Sequence, residues 1–358
     1  MEKTKTALIT GCSGQDGSYL TEFLLDKGYK VKGLVRRAST NAGLWRLKEV
    51  LNNPNFELIE DDVTDFSSIQ RIIFNHYPDE IYNLAAQSHV YSSFNQPIYT
   101  TNATYLGCLN ILEVLREKNN QYKPKFYQAS SSEMFGDNYT EGVLPVKGTI
   151  GGFQCGAMWQ DINTPFNPQS PYGIAKLAAH QAVKLYRKSY DIFACSGILF
   201  NHESPRRGEQ FVTRKVTSYV QDLRNWMNNH ICLDVLFNEE RKMELATYPK
   251  VKLGNLNAKR DWGFAKEYVE AMWLMLQQNK PDDYIVATGE THSVEEFVKL
   301  AFEEIGLNWK DFVEIDQSLF RPSEVPYLCG HSNTKEKLGW EPKVTFKELV
   351  KIMVNNES

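Results

Sequence analysis

The sequence predicts an α/β fold: a Rossmann-type, doubly wound parallel sheet with a smaller C-terminal α/β lobe. Three observations carry this. Short apolar runs alternate with helical patterns through roughly the first 200 residues, as they do when parallel strands are joined by helices. The first run, Ala7-Leu-Ile-Thr10, opens directly into Gly11-Cys-Ser-Gly14-Gln-Asp-Gly17 and a helical pattern. Beyond about residue 200 the alternation fades, which marks a second lobe.

The totals set the class. The chain has 358 residues, 42% hydrophobic and 23% charged, enough for one large domain or two lobes. Its net charge is −4 and it has no basic run, so nucleic acid is not expected as a partner. The pairs Arg36-Arg37 and Arg206-Arg207 suit single phosphates. Six cysteines, at 12, 108, 155, 195, 232 and 329, form no CxxC pair. Reduced thiols in a cytoplasmic protein are the expectation, with no metal site. The N-terminus does not read as a signal peptide, and no apolar stretch approaches the ~18 residues of a membrane span.

The first run reads as a buried strand and the helix after it continues through Tyr19, Leu20, Phe23 and Leu24. Glycines between them permit a tight turn and let a pyrophosphate approach the helix N-terminus. The spacing is GxxGxxG, so a plain glycine-rich βα turn stays open as an alternative. Tyr29–Val35 is the second strand, and its end is where the adenosine ribose is read. An acidic residue there would bind the 2′-hydroxyl of NAD, whereas an Arg accommodates the 2′-phosphate of NADP. Arg36-Arg37 therefore points to NADP, or else to two solvated arginines.

Phe56–Ile59 is a third strand, ending near Asp62-Val63, which can cap the adenine. Glu80–Leu84 is a fourth, followed by the small residues Ala85-Ala86-Gln87-Ser88. Residues 100–118 read as a helix and Lys125–Ala129 as a fifth strand, ending at Ser130-Ser131-Ser132-Glu133. Asp191–Leu199 is a sixth strand. Later elements are helices near 211–228, 265–278, 293–305 and 345–354 and a strand at 251–254.

Ser170-Pro-Tyr172-Gly-Ile-Ala-Lys176 carries the chemistry. Proline fits the first helical turn, and Tyr172 and Lys176, four apart, share a helix face. A free tyrosine has a pKa of about 10, and reaching about 7 takes about 4 kcal/mol. An ammonium beside a cationic nicotinamide ring can supply that. Ligands sit beyond the carboxyl ends of parallel strands, which brings Ser131 and Glu133 beside Tyr172. Ser131 can share a proton with Tyr172, and Glu133 can act as general base on a carbon acid. The plainer alternatives are an amphipathic surface helix and a solvated Glu. Arg260 and Arg321 in the second lobe can clamp a second pyrophosphate.

With these residues in view, the chain resembles the extended short-chain dehydrogenase/reductases, and within them the GDP-mannose 4,6-dehydratases. The motifs are Thr10-Gly-Cys-Ser-Gly-Gln-Asp-Gly-Ser-Tyr-Leu20, Gln128–Glu133, Ser170–Lys176, Gly197-Ile-Leu-Phe-Asn-His-Glu-Ser-Pro-Arg-Arg-Gly208, Phe211–Lys215, Leu253-Gly-Asn-Leu256, Arg260-Asp-Trp-Gly263 and Phe320–Val325. The glycine loop and YxxxK mark only the superfamily. NHESPRRG with LGNL and RDWG marks the GDP-sugar branch, and the likeness runs nearly end to end.

The resemblance implies residues 1–198 as an NADP-binding Rossmann domain, with an insertion at 137–163. Residues 199–358 are then mainly a substrate-binding lobe, with an insertion at 225–250 and some segments returning to the first domain. It implies a lyase that oxidises C4 of a GDP-hexose, eliminates water across C5 and C6, and returns the hydride to C6. Tyr172, Lys176 and Ser131 would serve the oxidation and Glu133 the elimination. Gly11, Gly14, Gln15, Asp16 and Gly17 would hold the cofactor pyrophosphate and Arg36 its 2′-phosphate. Asp62, Val63, Leu84, Ala86, Ser88, Tyr99, Lys176, His202 and Arg207 would complete the cofactor site. Ser88, Ser132, Asn201, Lys215, Leu253, Gly254, Asn255, Arg260, Arg321 and Glu324 would hold the GDP-sugar. Relatives place the Arg36-Arg37 segment near a neighbouring subunit, which implies a homodimer or homotetramer.

Departures bear on the sugar. Segment 137–163 links two catalytic elements, so it is expected near the sugar pocket as a lid, or else as a surface insertion. Phe166-Asn-Pro-Gln-Ser170 lacks the Tyr and Arg expected at 167 and 169, and Ser131 stands where relatives often have Thr. Another GDP-sugar, such as a GDP-manno-heptose, stays open as substrate. So does a sugar-nucleotide 4-epimerase or decarboxylase, although an epimerase has no need of Glu133. A non-catalytic NADP(H) sensor could dispense with Tyr172, Lys176 and Glu133 altogether.

Overall fold

Seven parallel strands form the central sheet of the computed structural model, which describes residues 4–37, 43–145, 153–230, 245 and 247–356. From one edge to the other they run Asp283–Val286, Ala194–Leu199, Lys125–Ser131, Glu80–Asn83, Thr6–Thr10, Lys30–Val35 and Phe56–Glu60. The chain fills one side of Thr6–Thr10 with its next two strands and then crosses to fill the other. The switch therefore lies between Thr6–Thr10 and Glu80–Asn83, where such sheets open a crevice at their carboxyl ends. Ala7 pairs with Val31 on one side and Glu80 on the other.

Both faces of the sheet are covered, so the middles of its strands are apolar, as in Ala7-Leu8-Ile9. On one face the helices Gln15–Asp26 and Ala265–Gln277 share a core built around Leu20, Leu24, Tyr268 and Met272. On the other, Phe66–His76, Gly107–Glu117 and Pro171–Tyr190 bury Ile69, Ile73, Ile111, Leu115, Ala179 and Val183. A separate core joins the helices Val212–His230, Val294–Glu303 and Phe346–Asn355 through Val220, Phe297, Phe302 and Met353.

The doubly wound parallel sheet is the one expected, with informative differences. The strand Lys125–Ser131 runs two residues past Ala129, so Ser131 is still strand when Glu133 follows. The sixth strand starts at Ala194 instead of Asp191, because Asp191 is a left-handed helix cap with φ +52°. The single helix expected over 100–118 is a short helix Pro97–Thr101, a π turn Asn102–Leu106 and a helix Gly107–Glu117. Asp283–Val286 was not foreseen. It returns the chain to the sheet beside Ala194–Leu199.

The segment 137–163 contains an antiparallel hairpin, Thr140–Pro145 with Phe153–Trp159, bulged at Gly142/Val143. It docks on residues 327–331 through fully buried Gln160. The Gln160 N–H donates to Cys329 O (2.8 Å), its carbonyl accepts from His331 N (2.8 Å), and its Oε1 accepts from Cys329 N (2.8 Å). Most of the 225–250 insertion lies outside the described residues. Among the described residues no helix is long and apolar enough to cross a membrane.

Candidate active site

The helix Pro171–Tyr190 starts where the sequence says it should. Ser170 caps it, accepting a 3.0 Å hydrogen bond from Gly173 N, and Pro171 occupies the first turn. Its first turn presses against the end of Lys125–Ser131. A Cβ at position 173 would come 2.8 Å from the Glu133 carbonyl oxygen, so glycine is what lets the two meet. Ser131, Glu133, Tyr172 and Lys176 are thereby gathered and all buried, at 8, 7, 8 and 4% exposure. Ser131 Oγ accepts from Glu133 N at 3.2 Å and caps the turn Ser132–Met134. The Lys176 ammonium sits 5.8 Å from the Tyr172 ring centre and donates to Ala129 O at 2.6 Å.

Tyr172 is buried among charged groups. Burial pushes its phenol up to about 12, with a side-chain hydrogen bond to Ser131 and the charge of Arg207 pulling down and Glu133 pushing up. Lys176 is itself pulled down to about 8 by burial. Its ammonium faces a backbone carbonyl, so the protein alone does not make Tyr172 a base at neutral pH.

At the switch point, Gly11 takes φ +69°, and a Cβ on it would sit 3.0 Å from Ala85 N. A Cβ on Gly17 would come 2.4 Å from Gly11 O. Gly14 caps the helix Gln15–Asp26 with no side chain, which leaves its first turn open to an anion. Leu84 N and Ala85 N both donate to Thr10 Oγ1 at 3.1 Å, and Ala86 and Ser88 follow at the strand's carboxyl end. Arg36 is exposed at the end of its strand and hydrogen-bonds the Tyr99 hydroxyl, with its guanidinium 5.3 Å from that ring's centre. Asp62 accepts from Thr64 N and Oγ1, both at 2.9 Å, and Val63 is buried against Gly107.

Gln15, Asp16 and His202 meet in one network. His202 Nε2 lies 2.8 Å from Asp16 Oδ2, and its Nδ1 lies 2.7 Å from Phe200 O. Gln15 Nε2 donates to Asp16 Oδ1 (3.0 Å) and His202 O (3.0 Å), while Ser204 Oγ donates to Gln15 Oε1 (2.9 Å). Burial pushes Asp16 up, but His202, Gln15 and Arg207 outweigh it and hold the carboxyl at about 2. Burial likewise opposes the charged His202, and Asp16 raises it above its ordinary value.

A cavity of about 240 Å³ opens among residues 89–91, 201–215, 253–262 and 319–324. Asn201, Lys215, Leu253, Gly254, Asn255, Arg260, Arg321 and Glu324, all proposed from sequence for the sugar nucleotide, line it. Ser88 and Ser132 do not: Ser88 is exposed and Ser132 is buried at 2%. Arg207, expected at the cofactor, lines the cavity too, paired with Glu203 at 3.1 Å and 3.7 Å above the Phe211 ring. No described residue of 137–163 lines it; residues 146–152 of that segment lie outside the described residues, and Gln160 braces 327–331. Among the described residues no cluster of metal ligands occurs.

Sequence reasoning missed His89 and Phe211 in the cavity wall, their rings 5.4 Å apart edge to face. It also missed a buried ladder across three strands: Thr10 Oγ1 donates to Asn83 Oδ1 (2.6 Å), and Asn83 Nδ2 donates to Gln128 Oε1 (2.8 Å). Polar residues recurring at three strand ends were the available signal.

Comparison with known proteins places the chain by sequence and by fold. The family model described as GDP-mannose 4,6 dehydratase matches residues 8–353. GDP-mannose 4,6 dehydratase 2 of Arabidopsis thaliana is 49% identical, over 100% of this chain and 88% of that protein. GDP-mannose 4,6 dehydratase of Homo sapiens is 44% identical, over 98% of this chain and 90% of that one. In fold the chain is similar to a UDP-glucose 4-epimerase from Thermotoga maritima, with TM-score 0.76, 22% identity and coverage of 98% and 97%. It is also similar to a dTDP-glucose 4,6-dehydratase from Bacillus anthracis solved with NAD, with TM-score 0.75, 19% identity and coverage of 98% and 96%.

Proposed function

The chain belongs to the GDP-mannose 4,6-dehydratase family, and from that premise we propose how its own residues turn GDP-mannose into the 4-keto-6-deoxy sugar nucleotide. The reaction is a dehydration, and the enzyme is a lyase. The observation that carries the residue assignment is Glu133 beside Tyr172 at one strand end, facing Arg260 and Arg321.

The glycine loop, Arg36 and Tyr99 fit a nicotinamide dinucleotide. Gly11 and Gly17 let the loop pack against Ala85 and against itself where no Cβ fits, and the uncapped first turn of Gln15–Asp26 follows it. The exposed Arg36 favours NADP over NAD, since a guanidinium matches a 2′-phosphate. Gly14, Asp62, Val63, Leu84, Ala86 and Ser88 would complete this groove. Gln15, Asp16 and His202 would hold its floor in shape, with Arg207 between the cofactor and sugar sites. When bound there, the nicotinamide would supply a hydride acceptor for C4 and the same hydride for C6, so net redox would be zero.

Tyr172 takes the proton of the C4 hydroxyl, with Ser131 sharing that hydrogen bond and Lys176 favouring the phenolate. The new C4 ketone acidifies the C5 proton, Glu133 accepts it and passes it to the C6 hydroxyl, which leaves as water, and C5 regains a proton from solvent when C6 is reduced. Lys215, Asn255, Arg260, Arg321 and Glu324 would hold the GDP moiety, with Asn201, Leu253 and Gly254 in the same wall. Exposed Ile98, Leu106, Ile174 and Leu185 support a homodimer or homotetramer, and the buried free cysteines suit a cytoplasmic setting.

Proton NMR of the purified protein with GDP-mannose and catalytic NADP+ in deuterated water tests this. A 6-deoxy-4-keto product with deuterium at C5 supports both the reaction and its base. Turnover of a GDP-manno-heptose in place of GDP-mannose would keep the mechanism and change the sugar. Silence with every GDP-sugar would refute the assignment.

A further inference from the structure

Glu133 does not stand alone. Its Oε1 is 3.5 Å from Arg321 Nη1, and the same guanidinium nitrogen is 3.6 Å from Glu324 Oε1. Arg260 Nη2 reaches that Glu324 oxygen at 3.0 Å, and its Nη1 donates to Lys259 O at 2.9 Å. Two guanidiniums and two carboxylates thus form a cluster of zero net charge. The two arginines differ. The Arg260 side chain is 6% exposed and fixed at both ends, whereas that of Arg321 is 27% exposed and faces the cavity.

We propose that Arg321 exchanges partners during the reaction, resting against Glu133 and moving to the diphosphate of the incoming GDP-sugar, so that seating the substrate frees the Glu133 carboxylate to accept the C5 proton. This rests on the reading above, in which the cavity takes the GDP-sugar and Glu133 is the base. While Arg321 Nη1 rests against Glu133 Oε1, that oxygen faces a donor and is not open to a substrate C–H. At 3.5 Å the existing contact is long and single, while a diphosphate offers more negative charge and a geometry that suits two parallel N–H donors. Arg260 and Glu324, tied to each other, keep the site's charge in place while Arg321 swings. Arg321 is then a positioning residue for Glu133 as well as a substrate clamp. A mannose derivative lacking the diphosphate would enter without releasing the base.

Crystal structures of the full chain with and without GDP, paired with kinetics of Arg321→Gln, test this. In the GDP complex the Arg321 guanidinium is expected on a phosphate oxygen, more than about 5 Å from Glu133 and outside close ion-pair range. GDP bound with Arg321 still on Glu133 would overturn the exchange and leave the cavity assignment intact. No GDP binding by calorimetry would remove the cavity assignment and the exchange with it. For Arg321→Gln the loss should fall on the KM for GDP-mannose, about 10- to 100-fold, the range for one charged hydrogen bond. A fall in kcat at unchanged KM would mean that Arg321 stays on Glu133 through the chemistry, against the proposal.

Discussion

His202 Nε2 lies 2.8 Å from Asp16 Oδ2, and this contact ties the glycine loop to the segment that follows the sixth strand. The ring also stacks on Tyr268, centroids 4.8 Å apart, so the histidine is fixed on two sides. The resemblance implies cofactor roles for both residues, and each already has a protein partner. Their first contribution is to hold the cradle together.

That pair should set a pH-dependent part of the stability. Asp16, lowered to about 2, contributes above its ordinary value near 3.8 and loses this as pH falls through about 2. His202, raised above 6.5, contributes fully below 6.5 and loses this as pH rises through its folded value. The difference between wild type and His202→Gln in urea unfolding should therefore be largest between about pH 4 and 6.5, at about 2 kcal/mol. A difference that stays flat across pH would exclude the coupling.

Tyr172→Phe should lower kcat by about 10²- to 10⁴-fold and leave the GDP-mannose KM nearly unchanged. Because burial holds Tyr172 at about 12, turnover should rise with pH on the acid side. Lys176→Met should move that rising limb to higher pH, since the phenolate loses a cation. An unmoved pH profile would remove Lys176 from this role.

Glu133→Gln should spare C4 oxidation and stop elimination. A single-turnover absorbance rise at 340 nm should persist while deuterium incorporation at C5 disappears. Continued exchange at C5 would show that another base acts.

Arg36→Ala should weaken NADP by about 10- to 100-fold and NAD far less. Calorimetry with each cofactor decides it. Equal losses would mean that Arg36 does not read the 2′-phosphate.

Gln160→Ala strips the brace behind 327–331. Its Nε2 also donates to Asn138 O (3.1 Å) and Tyr327 O (3.3 Å), so truncation leaves several buried groups unpaired. The expected cost is about 2–3 kcal/mol of stability. The KM for GDP-mannose should rise, because the same segment leads back to Arg321 and Glu324. A stability loss with unchanged KM would confine the insertion to folding.

Much of the molecule was open to local reading. The apolar runs, the glycines and the Ser170-Pro171 cap are short-range signals, because strand burial, tight turns and helix starts are decided by neighbours in sequence. For the same reason Tyr172 and Lys176 could be placed on one helix face, and Ser131 and Glu133 at a strand end. The strand Asp283–Val286 escaped because nothing local says that a run so late in the chain pairs with Ala194–Leu199.

What the sequence by itself determined was the parallel sheet, its direction and the residue types that stand at its carboxyl ends, since periodicity and residue order suffice for these. What only the tertiary structure decided were the relationships between distant residues. The high phenol of Tyr172 depends on burial beside Ser131, Glu133 and Arg207, and the Asp16–His202 bond and the brace at Gln160 join residues more than 100 positions apart. The same holds for Arg321 against Glu133. Burial and Coulomb interactions act through space, and only the fold fixes those distances.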